Sequence, residues 1–270
     1  MTADAIAWIE GRWGAPGELT LPLNDRGLQL ADGLFETVLI QNGRARLLED
    51  HLRRWADGAV LLGMDPPPDQ QALLPLIEDA RQRLGLGQGF GALRLNWSRC
   101  GADHRGIGLR GGMAQRFWLT LHRCQPLFGP KAVLISRSER RNADSLLSRC
   151  KSFAYGQAIQ ARREANQQGA DDALLLNTQA TLCCGSAANL LVKRGGQWLT
   201  PPLTSGCLPG VMRGRALGQG LVQEAELGST LEPNDQAMLI NSLSCHPINR
   251  VNGHVLATSD GETLWRQLLG

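Results

Sequence analysis

A chain of 270 residues is long enough to bury a substantial core and suits two domains sharing an interface. A net charge of +3, with basic residues spread along the chain, argues against nucleic acid as a partner, and no apolar run is long enough to cross a bilayer. Seven cysteines at 100, 124, 150, 183, 184, 207 and 245 form no CxxC pair and no metal-ligand spacing, so reduced thiols without zinc are expected. The opening MTADAIAWIEGRWG lacks the basic and then uninterrupted apolar regions of a secretory signal, which makes the cytoplasm the expected location.

In chain order, ELTLPL and LFETVLI read as strands, and QNGR as a hairpin turn of the Asn-Gly type. RARLLEDHLRRWADGAVLLG repeats apolar residues at helical spacing. After the prolines at 66 to 68, DQQALLPLIEDARQRLGL predicts a second helix, and GALRLNWSR and AQRFWLTLH predict strands. CQPLFGP, residues 124 to 130, interrupts the pattern and places a boundary between domains 1–123 and 124–270.

Beyond it, KAVLISRS is a strand and SFAYGQAIQARREANQQG a helix closed by Gly169. DALLLN, ATLCCG, ANLLVKRG and QWLTPP are short strands. LPGVMRGRALGQGLVQEA opens a helix after Pro-Gly, AMLINSL is a strand, and GETLWRQLLG a closing helix.

The chain has three lysines. Lys131 and Lys193 stand at a strand start and beside a turn, ordinary places for a solvated amine. Lys151, in SRCKSFAYG, lies between an Arg-rich loop and an apolar-faced helix, where partial burial would lower its pKa and suit it to Schiff-base or proton-transfer chemistry. A surface lysine is the alternative. In SGCLPGVMRGRAL, a Gly-rich turn opens a helix whose first backbone N–H groups, at Val211 and Met212, can meet an anion; simple chain reversal is the other reading. Arg54 in HLRR can add a bidentate phosphate contact or stay an exposed helix arginine.

Taken together and in order, NDRGLQLADGLFET, EDHLRRW, RRNADSLLSRCKSFAYGQAIQARREA, GADDALLLNTQATLCCGSAANLLV and TPPLTSGCLPGVMR resemble the fold-type IV pyridoxal-phosphate enzymes. That group contains branched-chain and D-amino-acid transaminases and aminodeoxychorismate lyase. The resemblance spans about residues 5 to 250. It implies a mixed α/β architecture, with a small N-terminal domain and a larger C-terminal domain built on a mixed, barrel-like sheet with flanking helices, and pyridoxal 5'-phosphate between them. It further implies Lys151 as the Schiff-base lysine, Arg54, Val211, Met212 and Ser242 as holders of the cofactor phosphate, and a homodimer in which a partner loop completes each site. Tyr155 stands at one-turn spacing from Lys151, a cofactor neighbour or a core residue.

Counting back from Asn189, Cys184 stands where the family generally places a glutamate facing the pyridine nitrogen. A thiol in an apolar pocket is expected to have a raised pKa and to donate weakly, and strand alternation sends Cys183 to the opposite face as packing. The weaker electron sink leans the expectation toward aminodeoxychorismate lyase, where aromatisation of the product drives the reaction. The rival readings are a transaminase of the same fold and a non-catalytic relative. For an anionic substrate, Arg99 and Arg105 in NWSRCGADHRGIG are candidate carboxylate partners, or solvated loop arginines. Arg137, Arg140, Arg141 and Arg149, which precede Lys151, read as a solvated face, with steering of an anionic substrate as the alternative.

Overall fold

The computed structural model describes residues 4–101, 106–109 and 112–270. Its contacts divide the chain into two compact units, one of Met1–Gln125 with Cys150–Ala154, the other of Pro126–Arg149 with Tyr155–Gly270.

The first unit contains, in chain order, β1 (Ala5–Ile9), β2 (Arg12–Gly14), α1 (Arg26–Leu30), β3 (Gly33–Gln41), β4 (Arg44–Ala45), α2 (Leu48–Leu61), α3 (Gln70–Leu84), β5 (Phe90–Arg99) and β6 (Gln115–Arg123). The strands form an antiparallel sheet in the order β2-β1-β6-β5-β3-β4. The QNGR turn is as expected, with Asn42 and Gly43 both at positive φ, the twist a two-residue hairpin needs. Asp69 caps α3 by accepting from the Ala72 amide at 2.9 Å, and Gly85 ends it in the left-handed conformation. Val38, Ile40, Leu93, Leu95, Leu119 and Leu121 of the sheet pack with Trp55, Ala59, Leu73 and Ile77 of the two long helices as one buried core.

ELTLPL is not a strand: Pro22 has no N–H to give a ladder, and Leu23 is exposed. Lys151, assigned by the sequence partition to the C-terminal domain, packs with the first unit. Its carbonyl accepts from the Phe35 amide at 2.9 Å, and the Phe153 amide donates to Gly33 at 3.0 Å, an added antiparallel bridge alongside β3. Gly33 must be glycine, because a Cβ there would lie 2.4 Å from the Phe153 ring.

The second unit contains β7 (Lys131–Arg141), α4 (Gly156–Gln167), β8 (Asp172–Asn177), β9 (Leu182–Gly185), β10 (Asn189–Arg194), β11 (Gln197–Thr200), α5 (Val211–Gly218), β12 (Gln223–Glu224), β13 (Gln236–Asn241), β14 (Ser244–Val251), β15 (His254–Val255) and α6 (Gly261–Leu269). β8 runs parallel to β7 after the α4 crossover, and β14 is parallel to β7, while the other barrel pairings are antiparallel. The path β10-β13-β14-β7-β8-β9 closes on itself because β9 also pairs with β10, through Cys184 and Asn189. The expected mixed barrel is therefore present, and the double cysteine lies at its seam. Leu174, Leu176, Leu182, Leu190, Val192, Leu239 and Ile248 form its apolar core.

Two helices are shorter than expected. α4 begins only at Gly156, since 151–154 is held as extended chain, so Lys151 and Tyr155 do not share a helical face. α5 stops at Gly218, with Gly220 at positive φ, and Gln223–Glu224 pairs with β11 instead. Among the described residues no helix is long and apolar enough to cross a membrane, and none of the seven cysteines is in a disulfide.

Candidate active site

The chemistry-bearing residues fall into two groups, one in each unit. In the first, β3 alternates its side chains, so Phe35 and Glu36 face opposite sides of the sheet. On the Phe35 side, the Lys151 Nζ lies 4.4 Å from the ring centroid and the Arg94 guanidinium 3.5 Å from it. Arg94 Nε donates to Asn96 Oδ1 at 2.7 Å, which orients it along β5. A half-buried amine thus stands over an aromatic face beside a second cation, an arrangement that draws anionic groups to the amine. Arg94 was missed in the sequence; its signal is a cation between the fully buried Leu93 and Leu95 in a strand, on the face opposite the core.

On the other side Glu36 is completely buried and meets two residues of α2. Arg54 donates to both its oxygens, Nε to Oε1 at 2.8 Å and Nη2 to Oε2 at 2.6 Å, and His51 Nδ1 lies 2.7 Å from Oε2. Burial alone would push the Glu36 carboxyl up, but the Arg54 charge and the bonds with His51 and Arg54 outweigh it and hold the pKa at about 2. An ionised carboxylate only accepts, so the His51 Nδ1 carries the proton of that bond.

Arg99 is not at a site mouth. It is 4% exposed, with Nε on Asp32 at 3.1 Å and its other nitrogens on the carbonyls of Gly63 at 3.1 Å and Leu62 at 2.8 Å. Its position at the end of β5 turns the guanidinium inward to close the α2 terminus, so it holds structure together. Arg105 lies outside the described residues. The NDRG stretch is likewise structural: Asp25 caps α1 and accepts from Ser98 and Arg116, and Arg26 holds the carbonyls of Gly106 and Ile107.

In the second unit the seam carries the site. Leu175 of β8 pairs with Cys184, but Leu176 pairs with Leu182, so Cys183 is the extra residue of a β-bulge. The bulge breaks the alternation expected for the two cysteines. Both are buried in one cluster with Cys207, Leu175 and the alanines of α4. The thiols are therefore neighbours, and the pKa of Cys184 moves down instead of up: the hydrogen bond from Cys183 lowers it, burial opposes this, and Arg141 lowers it further. Cys183 is raised, first by that same bond and then by burial. Arg141 is half-buried, unlike the exposed Arg137, Arg140 and Arg149, and its Nε donates to Gly206 at 3.3 Å.

From the seam, Asn189 reaches the next element, its Nδ2 donating to the Leu208 carbonyl at 2.9 Å. That bond sets the turn into α5, whose N-cap is Gly210 with no side-chain cap and no acidic residue in the first turn. The amides of Val211 and Met212 then head a helix whose dipole favours an anion. A Cβ on Gly210 would lie 1.9 Å from Asn189 Oδ1, so any side chain there must push the Asn189 amide aside. Gly210→Ala should displace the Asn189 amide, cost about 1–3 kcal/mol of stability in urea titrations and loosen anion binding; a variant with unchanged midpoint would contradict this account. Ser242 sits in the turn joining β13 and β14, which Asn241 ties to the same place by donating to the Ala187 carbonyl at 3.3 Å. The structure thus gathers Cys184, Val211, Met212 and the Ser242 turn at one end of the barrel.

Behind the seam, Arg162 of α4 donates to Asp172 and to Ser186, and Ser186 donates to Asp172 at 2.6 Å, fixing the loop after Cys184. Tyr155, Ile159, Arg162 and Ala187 line a cavity of about 570 Å³ on that side. Lys131 is 3.5 Å from Asp172 and so serves an ion pair.

A barrel with an uncapped helix start at its seam, and a separate sheet presenting a lysine over an aromatic ring, describes a two-domain α/β enzyme of the group that the motifs resemble. The family model for amino-transferase class IV matches residues 33–251, and the chain belongs to that family. A putative branched-chain-amino-acid aminotransferase of Methanocaldococcus jannaschii is 26% identical over 76% of this chain and 71% of its own. A bifunctional aminodeoxychorismate lyase / D-amino acid transaminase of Mycobacterium tuberculosis is 27% identical over 73% and 71%. Among solved structures, a hypothetical aminotransferase of M. tuberculosis in a PLP-bound form superposes with a TM-score of 0.81 at 22% identity, over 98% of this chain and 97% of that one.

Proposed function

We propose that this chain is a 4-amino-4-deoxychorismate lyase, a pyridoxal-phosphate enzyme that releases pyruvate and leaves p-aminobenzoate. The observation that carries the choice of reaction is Cys184, buried beside Arg141 where the family generally has a glutamate. The residues present suit the cofactor: an uncapped helix start opened by a glycine packed against Asn189 leaves its first amides suited to a phosphate, and Lys151 offers a half-buried amine. In this reading Arg54, the amides of Val211 and Met212, and Ser242 hold the phosphate. When bound, the cofactor supplies an electron sink for a substrate carbon that loses a proton.

The chain's own residues do the rest. Lys151 takes the proton from the substrate ring, the C–O bond to the enolpyruvyl group breaks, and the same amine returns a proton to the methylene carbon, giving pyruvate. Arg94, beside Lys151 over the Phe35 ring, replaces Arg99 as the cation for a substrate carboxylate. A carboxylate at position 184 would stabilise a proton on the ring nitrogen of the cofactor. A cysteine sulfur is a weaker hydrogen-bonding partner for that proton than a carboxylate, so the sink is weaker than in a transaminase. Aromatisation of the product makes the lyase reaction tolerant of that weakness.

The test is to incubate the enzyme with aminodeoxychorismate and follow p-aminobenzoate and pyruvate; their absence rejects the reading. Cys184→Glu should raise amino-group transfer from an amino acid to the cofactor by about tenfold, the effect of ~1.4 kcal/mol on the barrier. If transfer neither appears nor rises, the electronic argument fails. A transaminase is the second reading, favoured by the name of the M. jannaschii relative, and amino-acid-driven loss of the cofactor's aldehyde absorbance without lyase activity would select it. The reading includes a homodimer, for which light scattering should give twice the 29.3 kDa of the chain.

A further inference from the structure

We infer that Glu36 and His51 are positioning residues for cofactor recognition: they hold the Arg54 guanidinium in the orientation that receives the cofactor phosphate. The inference rests on the reading that Arg54 contacts that phosphate, and goes beyond it by naming what aims the arginine.

The geometry is specific. Glu36 lies on β3, flanked by β4 and β5, and is 0% exposed. His51 and Arg54 are three residues apart on α2, so both reach the same carboxylate from one helix face. Arg54 spends its Nε and one Nη2 hydrogen on the two oxygens of Glu36, a fork that fixes the plane of the guanidinium as well as its position. His51, itself 1% exposed, occupies Oε2 from another direction and stops the carboxylate from turning with the arginine.

Charge argues that orientation is the purpose. A buried carboxylate held ionised beside Arg54 cancels much of the positive charge that a phosphate would seek. Were attraction the only requirement, Glu36 would weaken the site. Its presence makes sense if a rigid, correctly directed fork contributes more than the cancelled charge removes, because an arginine side chain otherwise loses considerable rotamer freedom on binding. The competing account is a purely structural ion pair that pins α2 to β3 with no bearing on the phosphate.

Pyridoxal, which lacks the phosphate, separates the two. Dissociation constants of pyridoxal phosphate and pyridoxal are measured for the full chain by quenching of its tryptophan fluorescence. Glu36→Gln, which cannot accept the fork at both atoms, and His51→Leu should weaken pyridoxal phosphate by about tenfold or more, equivalent to ~1.4 kcal/mol, and leave pyridoxal unchanged. His51→Asn, whose amide still donates to Glu36, should restore the preference for the phosphate form. Retained pyridoxal binding also shows that a variant is folded. Equal weakening of both ligands, no change, or tighter binding of the phosphate form would overturn the inference. Arg54→Leu distinguishes the two levels: if it leaves the phosphate preference intact, the Arg54 reading itself fails; if it abolishes the preference while both Glu36→Gln and His51→Leu keep it, only the positioning role fails.

Discussion

On the proposed lyase reading, Lys151→Ala should abolish the release of p-aminobenzoate and pyruvate from aminodeoxychorismate, with a loss on the order of a thousandfold or more. Proton transfer by a positioned side chain contributes about 10²–10⁴-fold on its own, and in the proposed mechanism Lys151 also carries the amine that holds the cofactor. Lys151→Arg should be equally inactive. It keeps a cation over the Phe35 ring, but a guanidinium stays protonated at any working pH and cannot take up a proton. The pair of variants therefore separates the amine's chemistry from its charge. Activity within about tenfold of the parent in either, followed by p-aminobenzoate fluorescence, would remove Lys151 from the centre of the mechanism. Neither Lys131, paired with Asp172, nor Lys193, on β10, offers a second amine over an aromatic face.

The second large effect concerns acid. Glu36 has a pKa of about 2 in the folded protein, depressed from an ordinary 4.5. A depressed carboxyl stabilises the fold fully above the unfolded value, and that stability is lost as pH falls from about 4.5 through 2. At about 1.4 kcal/mol per pKa unit the group contributes about 3 kcal/mol. The unfolding midpoint in urea should therefore drop steeply across that range in the parent. Glu36→Gln should begin lower at neutral pH, because Arg54 and His51 lose their anionic partner, and should vary less between pH 5 and 3. Parallel pH profiles for the two proteins would show that the carboxylate is not the controlling group.

Much of the site is legible in one dimension. A Pro-Gly turn entering a helix, an Asn-Gly hairpin and a mixed run of short strands are local patterns met where the chain predicts them, whereas the lysine of SRCKSF is legible as a residue but its place beside β3 is not. Gly210 is legible for the same reason, as a helix-opening glycine, although its obligation to Asn189 is not: the two are far apart in the chain and meet only through the turn into α5. Arg99 shows the opposite case. Its place in a Gly-rich loop suggested an exposed cation, but the end of β5 turns it onto two carbonyls and Asp32.

What the sequence by itself determined is the family and the mixed α/β barrel architecture, because these depend on the order of local motifs and on residue chemistry; on the same grounds it nominated Lys151 as the reactive amine. What only the tertiary structure decided is the neighbourhood of each charged or sulfur-bearing group. Whether Cys183 and Cys184 face apart or together turns on one extra residue in β9 relative to β8, and a period-two pattern contains no information about its partner strand. Whether Arg54 stands alone or is held by Glu36 and His51 turns on the packing of α2 against β3 across eighteen residues of chain. Such contacts are long-range, and they set the direction in which each group points and the charge it carries.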